Sequence, residues 1–138
     1  MELKLALKVL EEIENSISKL EDRYGNLPEE FKYNYDNPEE KYQHDTIRSV
    51  ISKLDEVQTQ INWMNKPIIA EGILVKNNNN RFEIQGTEIE FSSGSPLDVW
   101  NNEWNQWETS RIEYSGEDYY IVSLGRNTPI SGLKVREK

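Results

Sequence analysis

The spacing of apolar residues changes once along this chain, near Pro67, and that change governs what it can fold into. Before it, Leu3, Ala6, Leu10, Ile13, Ile17, Leu20 and Tyr24 alternate steps of three and four. Ile47, Val50, Leu54, Val57, Ile61 and Met64 keep the same rhythm. A mean period of about 3.5 draws a narrow stripe down one helix face, which must be buried against a similar stripe. The positions between are Glu, Lys, Asp, Gln and Ser, as on a solvated face, while Leu5, Leu7 and Val9 widen the first stripe near its start.

The helix ends are legible too. Gly25-Asn26 closes the first helix, with Gly suited to the left-handed residue after a helix C-terminus. Asn37-Pro38-Glu39-Glu40 opens the second: Asn37 caps, Pro38 fits the first helical position, and two carboxylates sit where the helix dipole favours them. Trp63 to Pro67 ends it. The expectation is an antiparallel, coiled-coil-like helical hairpin over residues 1–66. Such a hairpin cannot bury both sides of its seam alone; it must pack on the rest of the chain, on a second copy of itself or on a foreign partner, and a four-helix homodimer is a reasonable expectation.

After Pro67 the period falls to two. Ile68 to Val75 is apolar and β-branched, and Asn77 to Asn80 reads as a polar turn. Arg81–Gln85 and Glu88–Phe91 alternate polar with apolar around Gly86, a hairpin signal. Ser92-Ser93-Gly94-Ser95-Pro96 and Ser115-Gly116-Glu117-Asp118 are turns, and further strands are expected at Leu97–Trp100, Trp107–Tyr114, Tyr119–Leu124 and Leu133–Arg136. Short strands without helical crossovers point to a small antiparallel β barrel or rolled sheet over residues 67–138. The fold class is α+β.

Composition then removes chemistries. With no Cys, the chain has no disulfide scaffold, thiolate metal site or thiol nucleophile. No apolar run reaches the ~18–20 residues that span a bilayer, and Met1-Glu2-Leu3-Lys4 does not read as a signal peptide, so a reducing, cytoplasmic location is expected. The net charge is −9. Residues 1–66 carry 9 basic and 14 acidic side chains (−5), and residues 67–138 carry 7 and 11 (−4). Neither half is basic. Counterion release needs clustered cations, which disfavours direct nucleic-acid binding, although Arg111, Arg126, Lys134, Arg136 and Lys138 give the last strands a basic flavour. Alternation puts Lys134 and Arg136 on the face opposite Leu133 and Val135.

No catalytic constellation stands out. His44 lies beside Asp45, but adjacent helical residues diverge by about 100° and no Ser or Cys accompanies them. Glu88 and Glu90 share a strand face at a spacing compatible with paired-carboxylate or metal chemistry, though such a pair is more often the wet side of a sheet. The glycines stand singly, so there is no phosphate-cradling loop. No cofactor is implied.

Aromatic residues are the better candidates. Trp100, Trp104 and Trp107 fall within one short segment. They cannot all point inward; Trp100 and Trp107 suit the filling of a small barrel, and Trp104 an exposed contact. Phe31, Tyr33 and Tyr35, in the long interhelix segment, either fold back over the open end of the hairpin or anchor a partner.

Several blocks together resemble a small domain-of-unknown-function family of Gram-positive bacteria and their phages and mobile elements. They are Arg81-Phe82-Glu83-Ile84, Phe91 to Val99, Trp107 to Tyr114, Asp118 to Val122 and Gly132 to Arg136, about half the chain. An extra Ser110 before Arg111 and an additional Trp104 depart from the pattern. The resemblance implies a small β domain and carries no catalytic residues. It also implies a phage or mobile-element context, in which small acidic proteins often inhibit host defence systems.

The reading is a non-enzymatic protein–protein interaction protein, in its specific form a phage or mobile-element inhibitor acting by steric occlusion of a basic or nucleic-acid-handling host protein. The alternative is a nucleic-acid-associated accessory module using the β domain. A small hydrolase working through surface carboxylates is a distant third.

Overall fold

The computed structural model describes residues 2–24 and 32–138. The chain resolves into two compact units, Met1–Asn65 and Lys66–Lys138.

The first unit contains helix α1 (Leu3–Tyr24) and helix α2 (Pro38–Asn65). The start of α2 is built as its sequence requires. The Asn37 side-chain oxygen accepts from the backbone N–H of Glu39 at 3.0 Å and of Glu40 at 3.3 Å, satisfying two donors that have no intrahelical partner. The Glu40 carboxylate reaches back to the backbone N–H of Asn34 at 2.9 Å. The stop expected at Gly25-Asn26 and the residue Phe31 lie outside the described residues.

Ile17 of α1 and Ile61 of α2 are both buried. The Gln58 amide lies beside them: its oxygen accepts from the Ser18 hydroxyl at 3.3 Å and its nitrogen donates to Glu21 at 3.0 Å. Further along, Leu7 and Leu10 share a groove with Met64 and Asn65.

The second unit is a curled six-stranded antiparallel sheet, a half-barrel. Its strands are β1 (Ala70–Lys76), β2 (Phe82–Ile84), β3 (Pro96–Asn101), β4 (Gln106–Tyr114), β5 (Tyr119–Ile121) and β6 (Lys134–Glu137). They lie in the order β2-β1-β6-β3-β4-β5. The last strand is therefore inserted at the centre, between β1 and β3. It is led there by the segment around Ile130, whose side chain plugs the core, and by the backbone pairing of Leu74 with Gly132 and Leu133.

Alternation sorts the two faces. Leu74, Phe82, Ile84, Leu97, Val99, Ile112, Ile121 and Val135 line the concave side and form one core with Phe91 and Ile130. Full burial of such side chains stabilises by about 1.5–3 kcal/mol each before the entropy of ordering is counted. The curl brings the two ends of the sheet together: Lys76 on β1 pairs with Asp118 at 3.0 Å, and the Phe82 and Tyr119 rings meet edge to face at 6.4 Å.

Two strand expectations need correction. Glu88–Phe91 is not a strand; it touches β2 through the isolated bridge Glu83↔Glu90. The turn at Thr87, whose hydroxyl donates to the Ile84 carbonyl at 2.7 Å and accepts from Ile89 N–H, uses those backbone groups locally instead. The strand placed at Tyr119–Leu124 stops at Ile121, because the Leu124 and Gly125 N–H groups fold back onto the Ile121 carbonyl.

Candidate functional site

In the helical unit the predicted stripe is divided rather than buried. Written as heptads, Leu10, Ile17, Leu54 and Ile61 occupy position a, and Ile13, Val50 and Val57 occupy position d. Ile17 and Ile61 are buried, and Leu10 and Leu54 half-buried. Of the d residues, Ile13 is 43%, Val50 47%, Val57 41% and Met64 44% exposed, while Ala6 and Leu20 are half-buried and Ile47, at position a, is 42% exposed. The neighbouring e positions, Glu14, Glu21, Ile51 and Gln58, are half-buried in their place. The helix pair is thus rotated by about one residue from a symmetric a/d seam. The hydrogen bonds of Gln58 with Ser18 and Glu21 give that rotation a cause.

The interhelix aromatics that are described gather at the start of α2. Tyr33 stacks on His44 with ring centroids 4.0 Å apart and touches Tyr35 at 4.5 Å. The hydrogen bond with Tyr35, and then partial desolvation, push the Tyr33 phenol up to about 12. Tyr35 itself is exposed. His44 Nδ1 lies 3.2 Å from the Asp45 carboxylate, side-chain reach closing the divergence of about 100° between adjacent helical residues. Among the described residues no group of three His, Asp or Glu is placed to hold a metal.

On the second unit the tryptophans do not fill the barrel, which corrects that expectation for Trp100 and Trp107. Their rings lie outside the core cluster, on the convex face, edge to face at 5.2 Å. Register explains this: Trp100 pairs with Trp107 and Asp98 with Thr109, on the face opposite Leu97 and Val99. The third strand adds cations. Lys134 Nζ stands 5.1 Å from the Trp100 ring and 5.3 Å from Trp107, and the Arg136 guanidinium 4.4 Å from Trp107. These distances are within cation–π range.

Beneath Arg136 lies Asp98, only 2% exposed. Its carboxylate accepts from Arg136 Nε at 2.8 Å and from the Thr109 hydroxyl at 2.7 Å, with Lys138 Nζ at 3.8 Å. Lys134 is held in turn by Glu71 at 3.2 Å. Sequence reasoning placed the cations on this face correctly and missed the acid. The available signal was an Asp between Leu97 and Val99, in a strand whose register sets it opposite Arg136.

Trp104 is different. It sits at the β3–β4 turn and is 69% exposed. The Asn101 side-chain oxygen accepts from the backbone N–H groups of Glu103 and Trp104, and Asn105 takes a left-handed φ of 50°. The turn therefore presents Trp104 to solvent. Of the six candidate contact residues, Tyr33 and Tyr35 cluster in the first unit, and Trp100 and Trp107 in the second.

The paired carboxylates belong to turns. Glu90 accepts from Asn77 at 2.7 Å, Asn79 at 3.3 Å and Arg81 at 3.1 Å. Those amide donors, with Arg81, hold its carboxyl below the ordinary carboxylate range. Glu88 is exposed.

Residues 71–137 match the model of a family described as a domain of unknown function, DUF5348. The match covers the half-barrel from β1 to β6 and leaves the helical unit outside. No curated protein and no solved structure matches the chain.

Proposed function

We propose that this chain is a non-enzymatic protein-interaction protein whose helical unit is completed by another polypeptide. The observation that carries the reading is the exposure of Ile13, Val50 and Val57, on a stripe whose spacing is built for burial. In this reading α1 and α2 form an antiparallel, coiled-coil-like hairpin. Meetings of opposite sense along the two helices, Ser18 with Gln58 and Leu10 with Met64 and Asn65, support it. Two helices share one line of contact, so the outer flank of each stripe is left for a third element.

The chain works sterically, by occupying a partner's surface. Trp104 and Tyr35 are further exposed anchors, of residue types that concentrate binding energy at interfaces. The specific version is a phage or mobile-element inhibitor of a host defence system. It draws on the family resemblance of the β unit and on the charge of −9, which suits a basic groove. The alternative, a nucleic-acid accessory module, has less support. The cations it would use on β6 already face carboxylates, Arg136 with Asp98 and Lys134 with Glu71.

The test compares the tagged full chain with its Val50→Lys/Val57→Lys variant. Each is mixed with host lysate and, separately, with untagged chain. Association of either kind, weakened in the variant while helical circular dichroism is kept, supports the reading. A chain that captures nothing and does not self-associate overturns it, as does association indifferent to the variant.

A further inference from the structure

We infer that the polypeptide completing the helical unit is a second copy of this chain, joined through the flank that carries Ile13, Val50 and Val57; the inference rests on the interaction reading above.

Geometry comes first. In each helix the buried line of contact runs through positions a and e, and position d lies to one side of it. When two helices pack with opposite sense, the d flanks of both fall on the same side of the pair. Ile13 and Leu20 of α1 then lie on the same side of the pair as Val50 and Val57 of α2. A face made by both helices of one copy is self-complementary under a two-fold axis, which is what an isologous dimer needs.

Charge separates a second copy from a basic partner. The chain carries −9, so a contact between copies requires a face poor in carboxylates. Along the stretch where the two helices overlap, the described positions bordering the shared face are Ser16, Lys53 and Gln60. Lys53 is the one charge among them, and none is acidic. Along the same stretch the opposite border is Glu11, Ser18, Asp55 and Asn62, with Glu14 and Glu21 turned toward it. A basic groove would be met by that second border; a copy of the same acidic chain is met best by the first.

Area sets the strength of the contact. The meetings of Ser18 with Gln58 and of Leu10 with Asn65 let the helices overlap over residues 10–24 and 51–65. At about 1.5 Å per residue and about 10 Å of width per helix, that two-helix face offers roughly 450 Å² per copy, close to 900 Å² for the pair. Stable interfaces bury about 1,200 Å² or more in total, so the dimer is a reversible one that forms with concentration. The resulting assembly is a four-helix bundle with a half-barrel on each chain.

Sedimentation equilibrium of the full chain over an about 100-fold concentration range tests this by mass action. The wild type is expected to reach twice the chain mass of 16.2 kDa. Val50→Lys/Val57→Lys adds two positive charges on the flank and is expected to sediment as a monomer. Asp55→Lys makes the same change in net charge on the other border and is expected to remain a dimer, which separates loss of contact from loss of charge. If the double variant loses helical circular dichroism, Val57→Ser, milder and uncharged, replaces it and is expected to raise the dissociation constant about tenfold, the effect of some 1.4 kcal/mol. A wild type monomeric throughout overturns the second-copy inference. If that monomer still captures a host protein through the flank, the interaction reading survives; if it captures nothing, both fall. A dimer unaffected by the flank substitutions also overturns the inference.

Discussion

Arg136 donates from Nε to the buried Asp98 carboxylate at 2.8 Å while its guanidinium lies 4.4 Å from the Trp107 ring. One side chain thus neutralises the buried acid of β3 and covers the Trp107 ring beside it. The arrangement crosses three strands, β6, β3 and β4, and ties the centre of the sheet together on its convex side.

Removing the acid leaves Arg136 and Lys138 facing each other without their shared counter-charge. Asp98→Ala is expected to destabilise the β unit by about 3 kcal/mol, the usual scale for breaking one partner of a buried ion pair. Urea unfolding followed by tryptophan fluorescence measures it. The double variant Asp98→Ala/Arg136→Ala is expected to cost less than the sum of the single changes, because the two share one interaction. Additive costs would show that the pair is not coupled.

Gly72 on β1 has no room for a side chain, since a Cβ there would come within 2.9 Å of Ile84 Cγ2. Gly72→Ala is expected to cost about 1–3 kcal/mol through forced displacement of a core residue. Adding Ile84→Leu, whose unbranched Cβ carries no Cγ2, is expected to recover part of that loss. A neutral Gly72→Ala would mean that β1 and β2 part without strain.

The Asn37 cap predicts a loss confined to the helical unit. Asn37→Ala removes the acceptor for Glu39 and Glu40 and is expected to cost about 1 kcal/mol. Amide exchange in the first turn of α2 should quicken while the β core is unchanged. Equal quickening in both units would contradict the cap's local role.

Acid should destabilise the β unit. Glu90, Glu113 and Asp118 are held below their ordinary values, the first two mainly by hydrogen bonds from Asn77 and Ser93 and the third by the Tyr119 backbone N–H. Their contribution is present above the unfolded carboxylate range and is lost as pH falls through the depressed folded values. Burial raises Glu137, so its contribution has the opposite sign and is lost as pH rises through its folded value. With three groups against one, the melting temperature is expected to fall on acidification below about pH 4. Substituting Glu90→Gln should flatten that fall; a melting temperature that rises instead would contradict the assignment.

Much of this fold is legible in the sequence because periodicity reports burial directly. The steps of three and four announce α1 and α2, and the alternation in Leu97-Asp98-Val99 and Lys134-Val135-Arg136 announces which face each residue takes. Where local side chains compete with the backbone ladder, the signal fails: Thr87 captures the Ile84 carbonyl, so the alternation of Glu88–Phe91 yields a bridge rather than a strand. The candidate site was partly hidden for another reason. Whether Trp100 points into or away from the core depends on which strands flank β3, and the central insertion of β6 is a long-range pairing that no local pattern encodes. Likewise, the heptad spacing shows that Ile13 and Val57 want cover. It does not show that Gln58 rotates the helices and leaves them without it.

The central claim is that two helices do not suffice and that the seam has a missing occupant. Amide hydrogen exchange of the full chain, at high dilution and again under associating conditions, tests it most directly. The account predicts that amides of α2 from Val50 to Ile61 exchange far faster than those of Leu74, Ile112 and Val135 in the dilute chain, and approach core-like protection once the flank is covered. Core-like protection of α2 already in the dilute monomer would contradict it, because the helical unit would then be complete by itself.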